Sequence, residues 1–392
     1  MSKANFTNIN LLKYYLATSL SQFAFYIPII QLFYLANNIT IFNIAILGAV
    51  WSFVKIILEI PSSILADRWG RKNTMILSSI FIVFQLVILI YGSSFLFFLI
   101  ASIFSAASYA FLSGTDIAFF YDNLAISKRE HEFEKLWARQ HIYQQIPLII
   151  AFVSSGFLFK LSPRMPFQLS LIFVLMSFII ILTLKEPSYN KQKNNQSSFS
   201  YLKESVRQVF ENKHLKFILV FTIFFSIASD ISYNFGQIYL NYLSLPVILF
   251  GIVYTLKSIL VTISSNIVPS LRKKFSYKNM FTFEIISITI LLYLMILTNN
   301  LVIGVIGFIL IAIPHGFFII TKSGYMHKLI KSHNRATIDS LFSFIVAIFI
   351  IIFELLTGWL ADLYNIKISF FIVAIILSVY CLYHIFNRKK IK

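Results

Sequence analysis

The sequence predicts an all-α polytopic membrane protein, with twelve transmembrane helices arranged as two pseudo-symmetric six-helix bundles. Three observations predict it. Apolar runs of about 20 residues, the length that spans a ~30 Å hydrocarbon layer at ~1.5 Å per residue, recur along the whole chain. Hydrophobic residues make up 58% of the 392 residues and charged ones only 12%, and the mean hydropathy is +0.80, more apolar surface than a soluble chain of this length can bury. The basic residues, finally, are concentrated in alternate loops.

In order, the expected spans are 12–35, 42–64, 74–92, 95–121, 140–159, 167–184, 217–240, 246–268, 280–297, 301–321, 338–361 and 368–386. Lys3 and Lys13 precede the first run, which is longer than a signal-peptide core and lacks a small-residue cleavage site, so it is read as a span. The single cysteine, Cys381, excludes an intramolecular disulfide and lies in the last run as a packing residue. Of the 33 Lys and Arg residues, 28 fall in the N-terminus, the even-numbered loops and the C-terminal tail. That asymmetry predicts a multi-pass protein of the cell membrane with both termini and the long middle loop cytoplasmic. It also accounts for the net charge of +18 without a nucleic-acid partner. The expected surroundings are the lipid bilayer, and a unit of this kind can work as a monomer.

Between spans two and three stands Leu65-Ala66-Asp67-Arg68-Trp69-Gly70-Arg71-Lys72, a charged knot that must form a tight turn at the water interface. A plain basic anchor needs Arg68, Arg71 and Lys72 but neither Asp67 nor Gly70, so the turn reads as functional. Residues 185–214 form the only long polar segment and divide the chain into an N-terminal bundle (1–184), a cytoplasmic linker (185–214) and a C-terminal bundle (215–392). Within the linker, Leu202, Val206, Val209 and Phe210 share one face, which predicts an interfacial amphipathic helix from Ser200 to Asn212.

The two bundles repeat one another. Ser155-Gly156-Phe157-Leu158 at the end of span five matches Thr357-Gly358-Trp359-Leu360 at the end of span eleven. The turn after span two has a degenerate copy after span eight, Leu271 to Asn279, which lacks the Asp and the Gly. Such duplication is the sequence trace of a transporter built from repeats.

With these features the chain resembles the major facilitator superfamily: twelve spans, a cytoplasmic central loop, and Asp67-Arg68-x-Gly70-Arg71-Lys72 in the place of that family's signature turn. Ser63 stands where the signature usually begins with Gly. Ser113-Gly114-Thr115-Asp116, Tyr121-Asp122-Asn123-Leu124 and Arg335-Ala336-Thr337 further resemble a bacterial, efflux-type subgroup. The resemblance implies that Asp67, Arg68, Gly70, Arg71 and Lys72 act conformationally, holding the cytoplasmic ends of the bundles together in one state. Two departures are plain: Ile100 through Phe120 contains no basic residue, and the Gly/Pro pattern of span five is reduced to Pro147 and Gly156.

Ionisable residues inside the hydrocarbon are costly, so each is a functional hypothesis. Asp230 and Lys257 lie at matching depths, roughly 15 Å from the outer surface by helical rise, in successive spans. They read either as a static ion pair or as a coupling and substrate-contact site. Tyr233, Asn234 and Gln237 share a polar stripe with Asp230, and Gln22, Tyr26 and Gln31 form a smaller set in span one. Glu354 is a candidate protonation site or an acid bonded to a neighbouring hydroxyl. His315, between Pro314 and Gly316, reads either as a group that titrates near neutrality or, as the first expectation, as a ring bonded to a backbone carbonyl exposed at a helix break. Lys55 and Glu59, four residues apart, with Asp116, form a candidate cytoplasmic gate or a structural pair, and Asp116 is placed in one network with Arg71.

The expected function is secondary active transport by alternating access. No Gly-x-x-x-x-Gly-Lys-Ser/Thr loop or ATPase-sized domain is present, so the energy is expected from an ion gradient, most simply protons through Asp230 or Glu354. Export of an amphipathic, cationic or zwitterionic, small molecule is the first expectation. Symport uptake of a nutrient or metabolite, and a receptor or scaffold that has lost transport, are the alternatives. No cofactor or metal is expected, and no catalytic cluster at a membrane face points to an enzyme.

Overall fold

In a bilayer every backbone N–H and C=O must be satisfied within the protein, which leaves an apolar chain like this one helices as its spanning form. The computed structural model describes residues 3–187, 207–330 and 335–387, and these are helical throughout apart from turns and short connections. The helices are α1 (Lys3–Leu20), α2 (Ile30–Ala36), α3 (Ile41–Trp69), α4 (Arg71–Tyr91), α5 (Phe95–Leu112), α6 (Thr115–Ile126), α7 (Phe133–Leu161) and α8 (Met165–Leu182). After the linker come α9 (Lys213–Asn234), α10 (Gly236–Tyr242), α11 (Phe250–Leu271), α12 (Tyr277–Leu297), α13 (Leu301–Leu310), α14 (Ala312–Leu329), α15 (Arg335–Leu363) and α16 (Ile366–Asn387). Among the described residues, eleven helical stretches are long and apolar enough to cross a membrane.

The remaining crossing corrects the expectation of one continuous span over 12–35. α1 stops at Leu20, residues 21–26 form turns, and a 3-10 turn at Ile27–Ile29 leads into α2. Pro28, which has no N–H to donate, sits at the start of that restart. The same division recurs elsewhere. The fourth crossing breaks between α5 and α6, where Gly114 takes φ +74°; the seventh breaks at Phe235; the tenth breaks at Ile311. The first, fourth, seventh and tenth crossings are thus the interrupted ones, the first helix of every group of three. Discontinuous helices at corresponding positions are what repeated transporter folds use to line a site.

The chain forms two compact units: Met1–Ile39 with Val50–Lys193 and Val247–Gly251, and Thr40–Ala49 with Asn194–Pro246 and Ile252–Lys392. In the first, Tyr14, Met75, Phe119, Phe120 and Leu124 form a buried aromatic core, with the Tyr14 and Phe119 rings stacked at 5.6 Å. A second contact in this unit is backbone against backbone. A Cβ at Gly251 would overlap the Phe152 carbonyl, and one at Gly156 would overlap the Val247 carbonyl.

The second unit has its own core, where Phe225 and Phe318 stack at 4.3 Å. There the Gly358 Cα lies against Ala45, and the Asp362 carboxylate accepts the Ile41 and Phe42 amides at 2.9 Å each, closing the open end of α3. The two glycines of the sequence repeat therefore do one job: each receives the first turn of another span at close range. Of the expected amphipathic helix, residues 207–211 are helical and Arg207 pairs with Glu211 at 2.7 Å, which holds the arginine's pKa above its usual value. The rest of that helix, from Ser200, lies outside the described residues. Asn212 then caps α9 through the His214 and Leu215 amides.

Candidate functional site

The charged turn is built around Gly70, whose φ of 109° and ψ of 151° belong to backbone that only glycine enters freely. The turn starts α4 and aims its first amides at an acid, Glu186, which accepts from Arg71 N at 2.7 Å and Lys72 N at 2.8 Å. Arg71, nearly buried, reaches back to Asp67 at 2.7 Å and across to Asp122 at 3.7 Å. Arg68 is exposed. The network expected between Arg71 and Asp116 is therefore made by Asp122 instead. Asp116 sits in the first turn of α6 and its carboxylate accepts the Ile117 amide at 2.8 Å. Among the described residues no ion pair joins Lys55 to Glu59. The Lys55 ammonium lies over the Tyr109 ring at 4.7 Å and the Trp51 ring at 5.5 Å, and Glu59 is exposed.

The second unit gathers most of the expected membrane-embedded residues. Glu354 in α15 is 2% exposed. Its Oε1 accepts from Asn234 Nδ2, at the end of α9, and its Oε2 has no hydrogen-bond partner among the described residues. A Cβ at Gly48 would stand 3.2 Å from that Oε2. Lys257 in α11 is 7% exposed. Its Nζ makes no hydrogen bond among the described residues and lies 3.9 Å from the centre of the Phe308 ring and 5.3 Å from that of Tyr233. Asp230, half-buried, acts electrostatically on both Lys257 and Glu354, so the three charges form one field. A hydrogen-bonded Asp230–Lys257 pair is not what forms.

Tyr254 packs between Phe308 and Tyr233, at ring distances of 5.6 and 5.9 Å, and interacts with buried Gln237. His315 bonds Ser229 Oγ through Nδ1 at 2.6 Å, a hydroxyl in place of the expected carbonyl. Asn234 and Gln237 thus flank the interruption at Phe235.

Gln22 and Tyr26 occupy the equivalent interruption in the first unit, where the Tyr26 ring stacks on Phe167 at 5.7 Å and its hydroxyl interacts with Gln85. The same unit holds a groove of about 590 Å³ between α1 and α7, lined by Tyr15, Ser19, Arg129, Arg139 and Tyr143 among apolar residues. Arg139 Nε donates to Tyr143 at 2.7 Å. Arg129, bound to Glu132 at 2.8 Å through two nitrogens, is held more basic than usual by that carboxylate.

Four residues escaped the sequence reading. Glu186 and Asp122 bear on the turn only through tertiary contact, and Arg139 looks like one more cytoplasmic base. Glu284, wholly buried and facing Thr321, carried a usable signal: it is the one acid in the run 280–297.

Comparison with known proteins agrees with this architecture. The family model described as Major Facilitator Superfamily matches residues 14–353. A relative from Bacillus subtilis (strain 168), named as the uncharacterized MFS-type transporter YxaM, is 27% identical over 219 residues, 55% of this chain and 54% of its own length, so the match spans about half of that protein. Among solved structures, a variant of the nucleoside transporter NupG superposes with a TM-score of 0.84 at 16% identity, covering 95% of this chain and 98% of that one. A bacterial homologue of the human lysosomal transporter Spinster, in an inward-facing and unoccupied conformation, gives 0.74 at 12% identity over 98% and 97% of the two chains. At these identities the likeness is one of fold.

Proposed function

Because the chain belongs to the major facilitator superfamily, and so is a multi-pass membrane transporter, we propose that it exports an amphipathic small molecule in exchange for protons. Glu354 carries the reading. It is a buried carboxyl group with one oxygen on Asn234, the other without a hydrogen bond, and a second acid, Asp230, in its field. Its two oxygens thus stand in different surroundings within the protein, one on a neutral amide donor and one without a bond among the described residues. A group placed in this way changes protonation when its surroundings change, which is what alternating access supplies. The rings of Tyr233 and Phe308 at Lys257, with Tyr254 packed on both, suit the apolar body of a substrate.

The signature turn takes the conformational part. Its Arg71–Asp67–Asp122 network and the Glu186 cap are charge-assisted contacts at a helix junction, the kind that two states of a transporter make and break.

The test is proton movement in inverted membrane vesicles from cells producing the chain, acidified inside by respiration and followed with a pH-sensitive dye. The probes are a lipophilic fluorescent cation, an aromatic carboxylate and a nucleoside. Release of protons on addition of at least one probe, present in wild type and absent in Glu354→Gln at equal expression, is the expected result. Wild-type vesicles that behave like vesicles without the chain for every probe would overturn it. A response confined to right-side-out vesicles would overturn export and leave uptake.

A further inference from the structure

We infer that Lys257 is the binding point for a carboxylate, so that the transported molecule is an organic anion or zwitterion with an aromatic or apolar body. The inference rests on the transporter reading above and gives its substrate a chemical class.

An ammonium group has three N–H donors and no acceptor, and in water all three are used. In this protein Lys257 is 93% buried by its 7% exposure, and Nζ has no hydrogen-bond partner among the described residues. The rings of Phe308 and Tyr233 replace part of the lost hydration, since a cation over an aromatic face is attracted to it. Ring faces offer no lone pairs, however, and burying a donor that stays unbonded costs free energy. Asp230 balances the charge through the field without taking the hydrogen bonds. A lysine kept only for structure is expected to bond its acid directly; this one leaves its buried donors unbonded among the described residues, against aromatic rings.

The surroundings select the occupant. A carboxylate brings two acceptor oxygens and a full opposite charge, the strongest complement to a buried ammonium. Phe308 and Tyr233, both within reach of Nζ, and Tyr254 behind them give an aromatic body flat surfaces to stack on. Gly236 admits the Phe308 ring against the α9–α10 interruption, because any Cβ there would overlap Cε2 and Cζ of that ring. The break in the seventh crossing thus fixes the ring that holds the lysine.

The experiment is equilibrium binding to the purified full-length chain, by calorimetry, of aromatic carboxylates paired with their isosteric amides. The pairs are indole-3-acetate with indole-3-acetamide, 4-phenylbutyrate with 4-phenylbutyramide, and N-acetylphenylalanine with its amide. At least one carboxylate should bind about tenfold or more tightly than its amide, the scale of a charge-assisted hydrogen bond. Lys257→Met should erase that preference and Lys257→Arg should retain part of it. Equal binding within every pair, binding of no carboxylate, or a preference that survives Lys257→Met would each overturn the assignment. The vesicle assay separates the two levels: proton release by another probe with no carboxylate preference defeats this inference alone, and proton release by no probe defeats the reading of proton-coupled export itself. Should Lys257→Met not fold, Phe308→Leu, which keeps the ammonium and removes a ring, must weaken the carboxylate and the amide of a pair equally.

Discussion

Glu186 closes the turn that Gly70 opens: its two carboxylate oxygens accept the amides of Arg71 and Lys72 at 2.7 and 2.8 Å. The acid from the end of the sixth crossing caps the helix that begins the third. This fit depends on the absence of a side chain, since a Cβ at residue 70 would stand 2.9 Å from Glu186 Cδ.

Gly70→Ala should therefore lower stability twice over, through backbone strain of about 1–3 kcal/mol at φ 109° and through displacement of the cap. Glu186→Gln keeps the shape and loses only the charge on the cap, worth about 0.3–1 kcal/mol at a helix end. Thermal unfolding of the purified variants should give the order wild type, Glu186→Gln, Gly70→Ala, and equal midpoints for all three would refute the cap.

Gly251 and Phe152 make the second prediction. With the Phe152 carbonyl where a Cβ would fall, Gly251→Val cannot pack without moving α7 away from the 247–251 turn. The same holds for Gly156→Val against the Val247 carbonyl. Each variant should make a cysteine placed at Ser155, which is buried in the native contact, react with a membrane-permeant maleimide several-fold faster. Unchanged labelling in both would mean that the contact tolerates bulk.

Much of this was readable in advance, for identifiable reasons. Span length and charge asymmetry follow from the physics of the bilayer, so the crossings could be placed in order, although α1 begins nine residues before its expected start and α14 ends eight after its expected end. The Gly156 and Gly358 repeat was visible because close backbone approach leaves a mark on composition. A break in the tenth crossing was expected at Pro314 to Gly316 and stands three residues earlier, at Ile311; the one at Phe235 was not foreseen, because an apolar residue occupies the break itself. Partner choice was hidden as well. Asp116 and Asp122 are six residues apart on one helix, and only the packing of α4 on α6 decides which of them Arg71 meets. Asp230 and Lys257 were read at equal depth with their pairing left open, because helical rise gives depth and not azimuth; the lysine lies over Phe308.

Asp362 gives the third prediction. It takes both the Ile41 and Phe42 amides, two of the donors that α3 cannot satisfy within itself. Asp362→Ala should cost about 0.5–2 kcal/mol, the range for removing a helix cap, and Asp362→Asn about half of that or less. Amide hydrogen exchange at residues 41–45 should quicken in Asp362→Ala before any other helix changes. Exchange that quickens uniformly across the chain would deny the cap a local role.

Glu354 and Asn234 give the last. The Asn234 amide is, among the described residues, the hydrogen-bond donor on this carboxyl group. Asn234→Leu removes the donor, and Glu354→Gln removes the exchangeable proton. If the two residues act as one unit, each variant alone should cut proton-coupled flux by about tenfold or more, and the double variant should be no worse than the poorer single one. Losses that multiply would show that Asn234 serves the substrate independently of the proton. A double variant matching Glu354→Gln, with binding of the probe retained in all three, would place Asn234 in the protonation step, because a residue that only shaped the pocket would weaken binding as well.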